Sequence, residues 1–445
     1  MMKQTEIGLL PDDWTTSTIG EELFIQQGKQ VSKKNRIGDN QKPFLRTANV
    51  FWDGLDLSGL DKMNFTKAEE EKLQLLKDDL LVCEGGDIGR TTICETDLPN
   101  TYYQNHLFRL RPKNGSVYPR FFCYWMQYFV RHTEHYGSAG NKTTIPNLSK
   151  TRLEAFHFPL PGIHEQRNIS QILSLIQSAI EKQDEIINAT TELKNIAKQK
   201  LFNEGIVNEP TEEKKDVGIY PKSWRVIQLA DAVSYIDYGF SAPIPKNPVK
   251  DGIKIVSTAD ITREGKLLYS KIRRIHAPSK TIERLTLTDG DVLFNWRNSS
   301  ELIGKTTVFH EQSDPHIFAS FILRIRCDEK NTHNYFLSYL LNYLREVGVF
   351  IQLSRRAVNQ ANYNKNEISV LPIPLPTYDE QIEITKALQV IDNKINFHQT
   401  KRETLIELFK TVLRKLMTGE VRVKDINFEK DYTIKEENLS MAAEA

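Results

Sequence analysis

Two long stretches of the chain carry their apolar residues at alternating steps of four and three. The later one runs Ile384, Leu388, Ile391, Ile395, then His398 and Arg402, then Leu405, Phe409, Val412, Leu416. The earlier one runs Ile169, Leu173, Ile176, Ile180, Gln183, Ile187, Thr190, Lys194, Ala197, Leu201. That spacing keeps one stripe of a helix apolar for about five heptads and predicts a coiled-coil seam. Both seams turn polar in the middle, which can set register. Gly205 and Gly419 stand where helix C-termini place glycine. A proline-rich segment precedes each helix, and Glu165-Gln166 or Glu380-Gln381 follows, where acidic residues suit the helix dipole. Elsewhere short β-like runs such as DLLVCE and GDVLFNW alternate with Gly, Asn and Asp. YPRFFCYWMQYFV and HNYFLSYLLNYL read as amphipathic helices. Their aromatics (Phe122, Trp125, Phe129; Tyr335, Tyr339, Tyr343) recur at three and four residues, as core packing requires; stacking on nucleic-acid bases is the alternative.

These patterns occur twice. LLPDDW (Pro11, Trp14) returns as IYPKSW (Pro221, Trp224) at an offset of 210. Thr47-Ala48-Asn49 with Gly54 returns as Thr258-Ala259-Asp260 with Gly265, offset 211. Gly89-Arg90-Thr91-Thr92 returns as Gly304-Lys305-Thr306-Thr307, offset 215, which Arg109/Arg324, Asn147/Asn362 and FPLPGIHEQ/IPLPTYDEQ keep. A period this long means duplicated domains, and the drift in offset marks insertions that distinguish the copies. The expected fold class is α+β: two mixed α/β units (1–162 and 217–377) and two long helices (163–205 and 378–419). A linker (206–216) and a C-terminal tail (420–445) complete the chain, with an internal pseudo-twofold repeat. The short linkers put the second unit at the C-terminal end of the first helix and the N-terminal end of the second. Helices that pair must therefore pair antiparallel, giving a dumbbell. Helices of about 39 residues span about 58 Å, or about 17 base pairs at 3.4 Å each. Two readers on such a frame suit two DNA half-sites with an unread spacer. Equal insertions after Thr190 and Leu405, equivalent at offset 215, are expected to keep the seam and lengthen that spacer.

Composition is that of a globular protein, with 39% hydrophobic and 26% charged residues. The start of the chain shows no signal peptide and no stretch is apolar enough to span a membrane, so a cytoplasmic location is expected. Cys83, Cys94, Cys123 and Cys327 form no CxxC pair and read as buried reduced thiols. The net charge of +1 leaves any nucleic-acid surface to local patches.

A search for reacting groups finds little. IGKTT (Ile303 to Thr307) lacks the earlier Walker A glycine, that position being Ser299, and reads as a tight turn. GGDIG (Gly85 to Gly89) is too short for a dinucleotide loop, and no Pro-Pro pair offers an amino-methyltransferase loop. His132 and His135 lack a third ligand, so no metal site is expected. Local charge says more. Residues 29–46 hold six basic residues (Lys29, Lys33, Lys34, Arg36, Lys42, Arg46) against Asp39. Residues 246–284 hold ten, among them Lys246, Lys250, Arg273 and Arg274, against four acids. Such loops can neutralise phosphates and probe base edges. A second pair of loops precedes the Pro-Leu-Pro segments, with Asn141, Lys142 and Thr143 in one and Arg355, Arg356, Asn359 and Gln360 in the other. Arg90, Arg297 and Lys305 complete the DNA-binding candidates. The seam candidates are Leu173, Ile176, Ile180, Ile187, Leu201, Leu388, Ile391, Ile395, Leu405, Phe409 and Leu416.

With this order in place, residues 8–420 resemble a specificity subunit of type I restriction–modification enzymes. PLPGIHEQRNISQIL, PLPTYDEQIEITKAL, the Pro-x-x-Trp pairs and Asn147-Leu148-Ser149-Lys150 carry the resemblance; Asn362-Tyr363-Asn364-Lys365 is a degenerate second copy. The resemblance implies two target-recognition domains that read an asymmetric bipartite site on double-stranded DNA. It implies two modification subunits, binding S-adenosylmethionine, docked on the helices, and restriction subunits that supply ATP- and Mg-dependent translocation and cleavage. No catalytic residue or cofactor is expected in this chain. The alternatives are a coiled-coil adaptor without a DNA role and a DNA-modifying enzyme with an unfamiliar site.

Overall fold

The structure, a computed structural model, describes residues 1–132, 148–214, 217–241, 249–350 and 361–426. It divides into unit 1, Met1–Asp184 with Thr400–Ala445, and unit 2, Glu185–Gln399. The division passes through both long helices, Ile163–Glu204 and Tyr378–Met417. Each unit thus holds one globular half and one end of each helix.

The two units share one topology. In unit 1 a four-stranded antiparallel sheet orders Leu23–Gln27, Leu107–Pro112, Leu80–Cys83 and Thr91–Ile93. A three-stranded sheet orders Asp61–Asn64, Gln41–Leu45 and Tyr102–Tyr103, its last pair parallel. In unit 2 the first sheet orders Val233–Tyr238, Ile322–Cys327, Val292–Asn295 and Thr306–Val308. The second orders Arg273–Ile275, Ile253–Val256 and His316–Phe318, again with a parallel last pair. Strand Leu80–Cys83 is apolar throughout, and Val292–Asn295 is apolar up to Asn295, because both faces are covered. Leu80 and Val82 point into the larger core of unit 1, Leu81 and Cys83 into the smaller. Val292, Phe294 and Leu293 divide in the same way. IGKTT runs into strand Thr306–Val308 and opens no helix, consistent with a turn. The cysteines are free and buried; burial pushes the Cys83 thiol up to about 11 and those of Cys94, Cys123 and Cys327 to about 12.

The aromatic helices are core elements, as their spacing predicts. Phe122, Trp125 and Phe129 are buried, with Trp125 stacked on Phe129 at 4.9 Å. Tyr343 is buried and stacks on Phe202 at 5.1 Å, while Tyr335 and Tyr339 pack half-buried on the same core. Tyr124 and its counterpart Tyr339 bond to the long helices through their hydroxyls, Tyr124 to Ser174 at 2.9 Å and Tyr339 to Asp392 at 2.6 Å.

A buried glutamine fixes each long helix to its globular half. Gln166 Nε2 donates to the Pro161 and Ser116 carbonyls at 2.8 and 2.7 Å, and its Oε1 accepts from Tyr118 N at 2.8 Å. Gln381 repeats this with the Pro376 and Asn331 carbonyls at 3.1 and 2.9 Å and His333 N at 2.8 Å. All three side-chain bonds are satisfied in a site closed to water, so the amide dictates the angle of helix entry.

The long helices have 42 and 40 residues, about 60 Å each at 1.5 Å per residue. Every seam position named above is buried or half-buried. Their pairing is antiparallel within each unit. Asn168 Nδ2 donates to the Val423 carbonyl at 2.7 Å, and Arg402 Nε lies 2.6 Å from Asp184 Oδ1, in unit 1. In unit 2, Lys194 Nζ lies 2.7 Å from Asp392 Oδ1. The Arg402–Asp184 and Lys194–Asp392 pairs lie near the polar middle of the seams and fix register within each unit. Gly205 and Gly419 end the helices at φ +69° and +66°; a Cβ on Gly419 would come within 2.3 Å of Pro11 Cγ.

Candidate nucleic-acid interface

In each unit one end of the four-stranded sheet gathers four chain segments. The edge strand leaves the sheet at Gly28 in unit 1 and Gly239 in unit 2. A Cβ on Gly28 would lie 2.3 Å from the Gln104 carbonyl oxygen, and one on Gly239 2.3 Å from that of Ala319, so only glycine lets the backbones cross. The turn after the central strand begins at Glu84 or Trp296. Glu84 N donates to the His106 carbonyl at 3.0 Å, and Trp296 N to that of Phe321 at 3.2 Å. The segment leading to the long helix rejoins here: Leu148 N donates to the Glu84 carbonyl and Tyr363 N to the Trp296 carbonyl, both at 2.9 Å. These backbone bonds make Glu84 and Trp296, and His106 and Phe321, equivalent positions.

The side chains at these positions differ. In unit 1, Glu84 Oε2 lies 3.0 Å from His106 Nδ1. Gly86, at φ +78°, has open space where a Cβ would stand. In unit 2 the rings of Tyr238 and Phe321 flank Trp296 at 5.5 and 6.1 Å. Trp296 Nε1 donates to the Ser320 carbonyl at 2.7 Å, and the Arg297 guanidinium lies 4.9 Å above the Phe321 ring. Asn295, before Trp296, is fully buried, and neither side-chain amide atom has a hydrogen-bond partner among the described residues. Strand register makes Cys83 its counterpart, since Leu107 pairs with Cys83 and Ile322 with Asn295. Asn295→Cys is therefore expected to stabilise unit 2 by about 1–3 kcal/mol, the cost of an unsatisfied buried amide. Urea denaturation measures this, and an unchanged midpoint would contradict it.

Several cations read from sequence as DNA contacts are internal braces. Lys305 is buried, and its Nζ donates to the Thr258 and Ile261 carbonyls at 2.7 and 2.6 Å; burial lowers its pKa. Arg90, its counterpart, donates to the Thr47 carbonyl at 2.7 Å and lies 5.5 Å from the Phe51 ring centre. Lys29 is enclosed by Glu69 at 2.6 Å and the Asn64 carbonyl at 2.8 Å. All three positively charged groups are committed to the protein, which corrects their assignment as DNA contacts. Arg274 is held by Asp314 and the Gly252 carbonyl, and Arg46 by Asp61 at 3.1 Å. Lys33, Lys34, Arg36, Lys250 and Arg273 are exposed, and Arg297 stands at the sheet end. Asn141, Lys142, Thr143, Lys246, Arg355, Arg356, Asn359 and Gln360 lie outside the described residues. Among the described residues no group of three His, Cys, Asp or Glu could hold a metal ion, and no helix is long and apolar enough to cross a membrane.

Sequence reasoning passed over Glu84, His106, Tyr238, Trp296 and Phe321. A signal existed: Cys83 and Asn295 are 212 apart, whereas Gly89 and Gly304 are 215 apart. Three residues are thus inserted within the turn at this sheet end, where the copies differ most abruptly.

The scaffold is duplicated, and its side chains differ at one repeated position. The chain belongs to the family of the type I restriction modification DNA specificity domain, whose model matches residues 11–191 and 221–408. It is a non-catalytic specificity subunit of type I restriction–modification systems. It is 24% identical over 431 residues to the MjaX type I restriction enzyme specificity subunit of Methanocaldococcus jannaschii, covering 95% of this chain and 97% of that one. It is 22% identical over 413 residues to the EcoBI specificity subunit of Escherichia coli, covering 87% and 82%. The fold resembles the crystal structure of the S subunit from M. genitalium, with a TM-score of 0.56 at 14% identity over 94% of this chain and 99% of that one.

Proposed function

We propose that the chain reads an asymmetric bipartite sequence on double-stranded DNA, one half with each unit, and docks two modification subunits on its paired helices. Restriction subunits join through that complex in the cytoplasm. S-adenosylmethionine, ATP and Mg belong to the partners, and this chain binds none of them. The observation that carries this reading is one backbone frame, built twice, with unlike side chains at the same sheet end. Docking has separate support. Off the seam, Leu175 and Val390, and Leu193 and Leu408, are exposed apolar pairs at the offset of 215. Ile196 and Phe397 are exposed as well. Apolar positions repeated in this way suit two copies of one partner.

The test exchanges residues 217–375 for the matching segment of a relative, within a complex reconstituted with modification subunits. Sequencing of methylated DNA should show a change in one half of the motif only. A change in both halves, or in neither, would refute independent reading.

A further inference from the structure

We propose that the repeated sheet end is the base-reading position of each unit. In unit 1, Glu84, aligned by His106, accepts a hydrogen bond from the amino group of cytosine or adenine. In unit 2, Arg297, carried on the Phe321 ring, reads guanine. The inference rests on the DNA-reading function above and adds the chemistry of each reader.

Three observations support it. First, the backbone is common to both units while the side chains are not. Leu148 and Tyr363 anchor to Glu84 and Trp296 through the same 2.9 Å bond, yet the turn that follows differs by three residues. A position with fixed backbone and free choice of side chain is what recognition of different sequences requires. Second, the chemistry matches base edges better than phosphates. A carboxylate only accepts hydrogen bonds and is repelled by phosphate, so on a DNA-facing surface Glu84 suits the amino hydrogens of C or A. The open space at Gly86 leaves room for a base edge to approach. Third, the aromatic cluster of unit 2 has its polar atoms tied down. Trp296 Nε1 bonds to the Ser320 carbonyl, and the Tyr238 hydroxyl accepts from Lys365 N at 2.7 Å. Phe321 remains 42% exposed, with the planar guanidinium of Arg297 above it. A guanidinium carries a planar fork of donors that matches guanine O6 and N7. The Asn295 amide, without a partner among the described residues, lies two residues from Arg297, where a reading site can carry a cost that a purely structural strand end would have shed.

The experiment uses the full chain in complex with its modification subunits and sequences methylated DNA for wild type, Glu84→Gln, Arg297→Ala and Arg297→Lys. Binding to duplexes changed one base pair at a time supplies the same readout for a variant that turns over slowly. Glu84→Gln should change or relax one C- or A-bearing position in the unit 1 half and leave the other half intact. Arg297→Ala should weaken discrimination at one guanine in the unit 2 half about tenfold or more. Arg297→Lys should not restore it, because an ammonium cannot make the bidentate contact. An unchanged motif in both variants would overturn the inference and leave DNA reading intact. So would a uniform loss across all sequences, or full rescue by lysine, since phosphate contact predicts those. A wild-type complex without sequence preference would refute the underlying function itself.

Discussion

Arg422→Ala is expected to destabilise unit 1 by about 3 kcal/mol, near the lower end of what breaking a buried ion pair costs. Arg422 binds Glu165 through Nε and Nη2, both at 2.8 Å, and Asp13 through Nη1 and Nη2, both at 2.7 Å. Glu165 is only 4% exposed, so its carboxylate would be left buried with Trp14 Nε1 at 2.9 Å and Val423 N at 3.2 Å as its remaining donors. Arg422 keeps 26% of its side chain exposed, which argues for the lower end of the range. Urea denaturation gives the value; a loss under about 1 kcal/mol would mean that the two neutral donors suffice.

The pH response follows from the same groups. The Arg422 hydrogen bond holds Asp13 down to about 2. Burial alone would raise Glu165, but its bonds from Arg422 and Trp14 bring it below its usual value. Both carboxyls are depressed in the folded state. Their contribution is present above the unfolded value of about 4 and is lost as pH falls through the folded values. No arginine is bonded to the corresponding glutamate of unit 2, Glu380, among the described residues. Burial raises Glu380, so its contribution is full below the unfolded value and declines as pH rises through the folded one. Lowering the pH from about 4 towards 2 should therefore weaken unit 1, whereas milder acid already favours unit 2 at Glu380.

Lengthening the paired helices is expected to move methylation to the same two half-sites with a longer spacer, provided that the insertions face each other. Within unit 1 Asp184 lies opposite Arg402, and within unit 2 Lys194 lies opposite Asp392, each in an antiparallel pair. That register puts Thr190 opposite Asn396 and Leu405 opposite Glu181. Thr190 and Leu405 are equivalent by repeat but do not face each other, which corrects the expectation from sequence. Four-residue insertions at those two points leave the outer parts of the seam one turn out of register. Insertions after Thr190 and after Ile395 match. They add about 6 Å, close to two base pairs at 3.4 Å each, and keep the seam nearly in phase. The spacer should grow by one or two base pairs. An active complex that keeps the original spacing would show that the helices are not the ruler.

The frame was legible because it depends on local periodicity and on comparison of the copies. Steps of four and three located both seams, and the repeated Pro-Leu-Pro and Glu-Gln segments located both helix entries. The role of Gln166 was not legible. Acidity explained its neighbour Glu165, but the partners of Gln166 come from Ser116 and Tyr118, some fifty residues away. Arg90 and Lys305 were misread for the same reason. Each cation is consumed by a carbonyl more than forty residues distant in sequence, Thr47 or Thr258 and Ile261. Charge density along a chain does not reveal which long side chains turn inward. The sheet-end pairs escaped because Glu84 and Trp296 share no residue type; only the jump in offset marks them.

The make-up of the two units has a consequence during synthesis. Unit 2 is one continuous stretch, Glu185–Gln399, complete once its own residues have been made. Unit 1 needs both early and late segments, and Asp13 waits 409 residues for Arg422. At 5–20 residues per second that interval is roughly 20–80 s. Once made, Ile169 and Leu173 wait about 240 residues, roughly 12–50 s at that rate, for Leu413 and Leu416, which share their core. The first half to leave the ribosome is therefore the last to close, and it is the half in which chaperones and proteases have time to act.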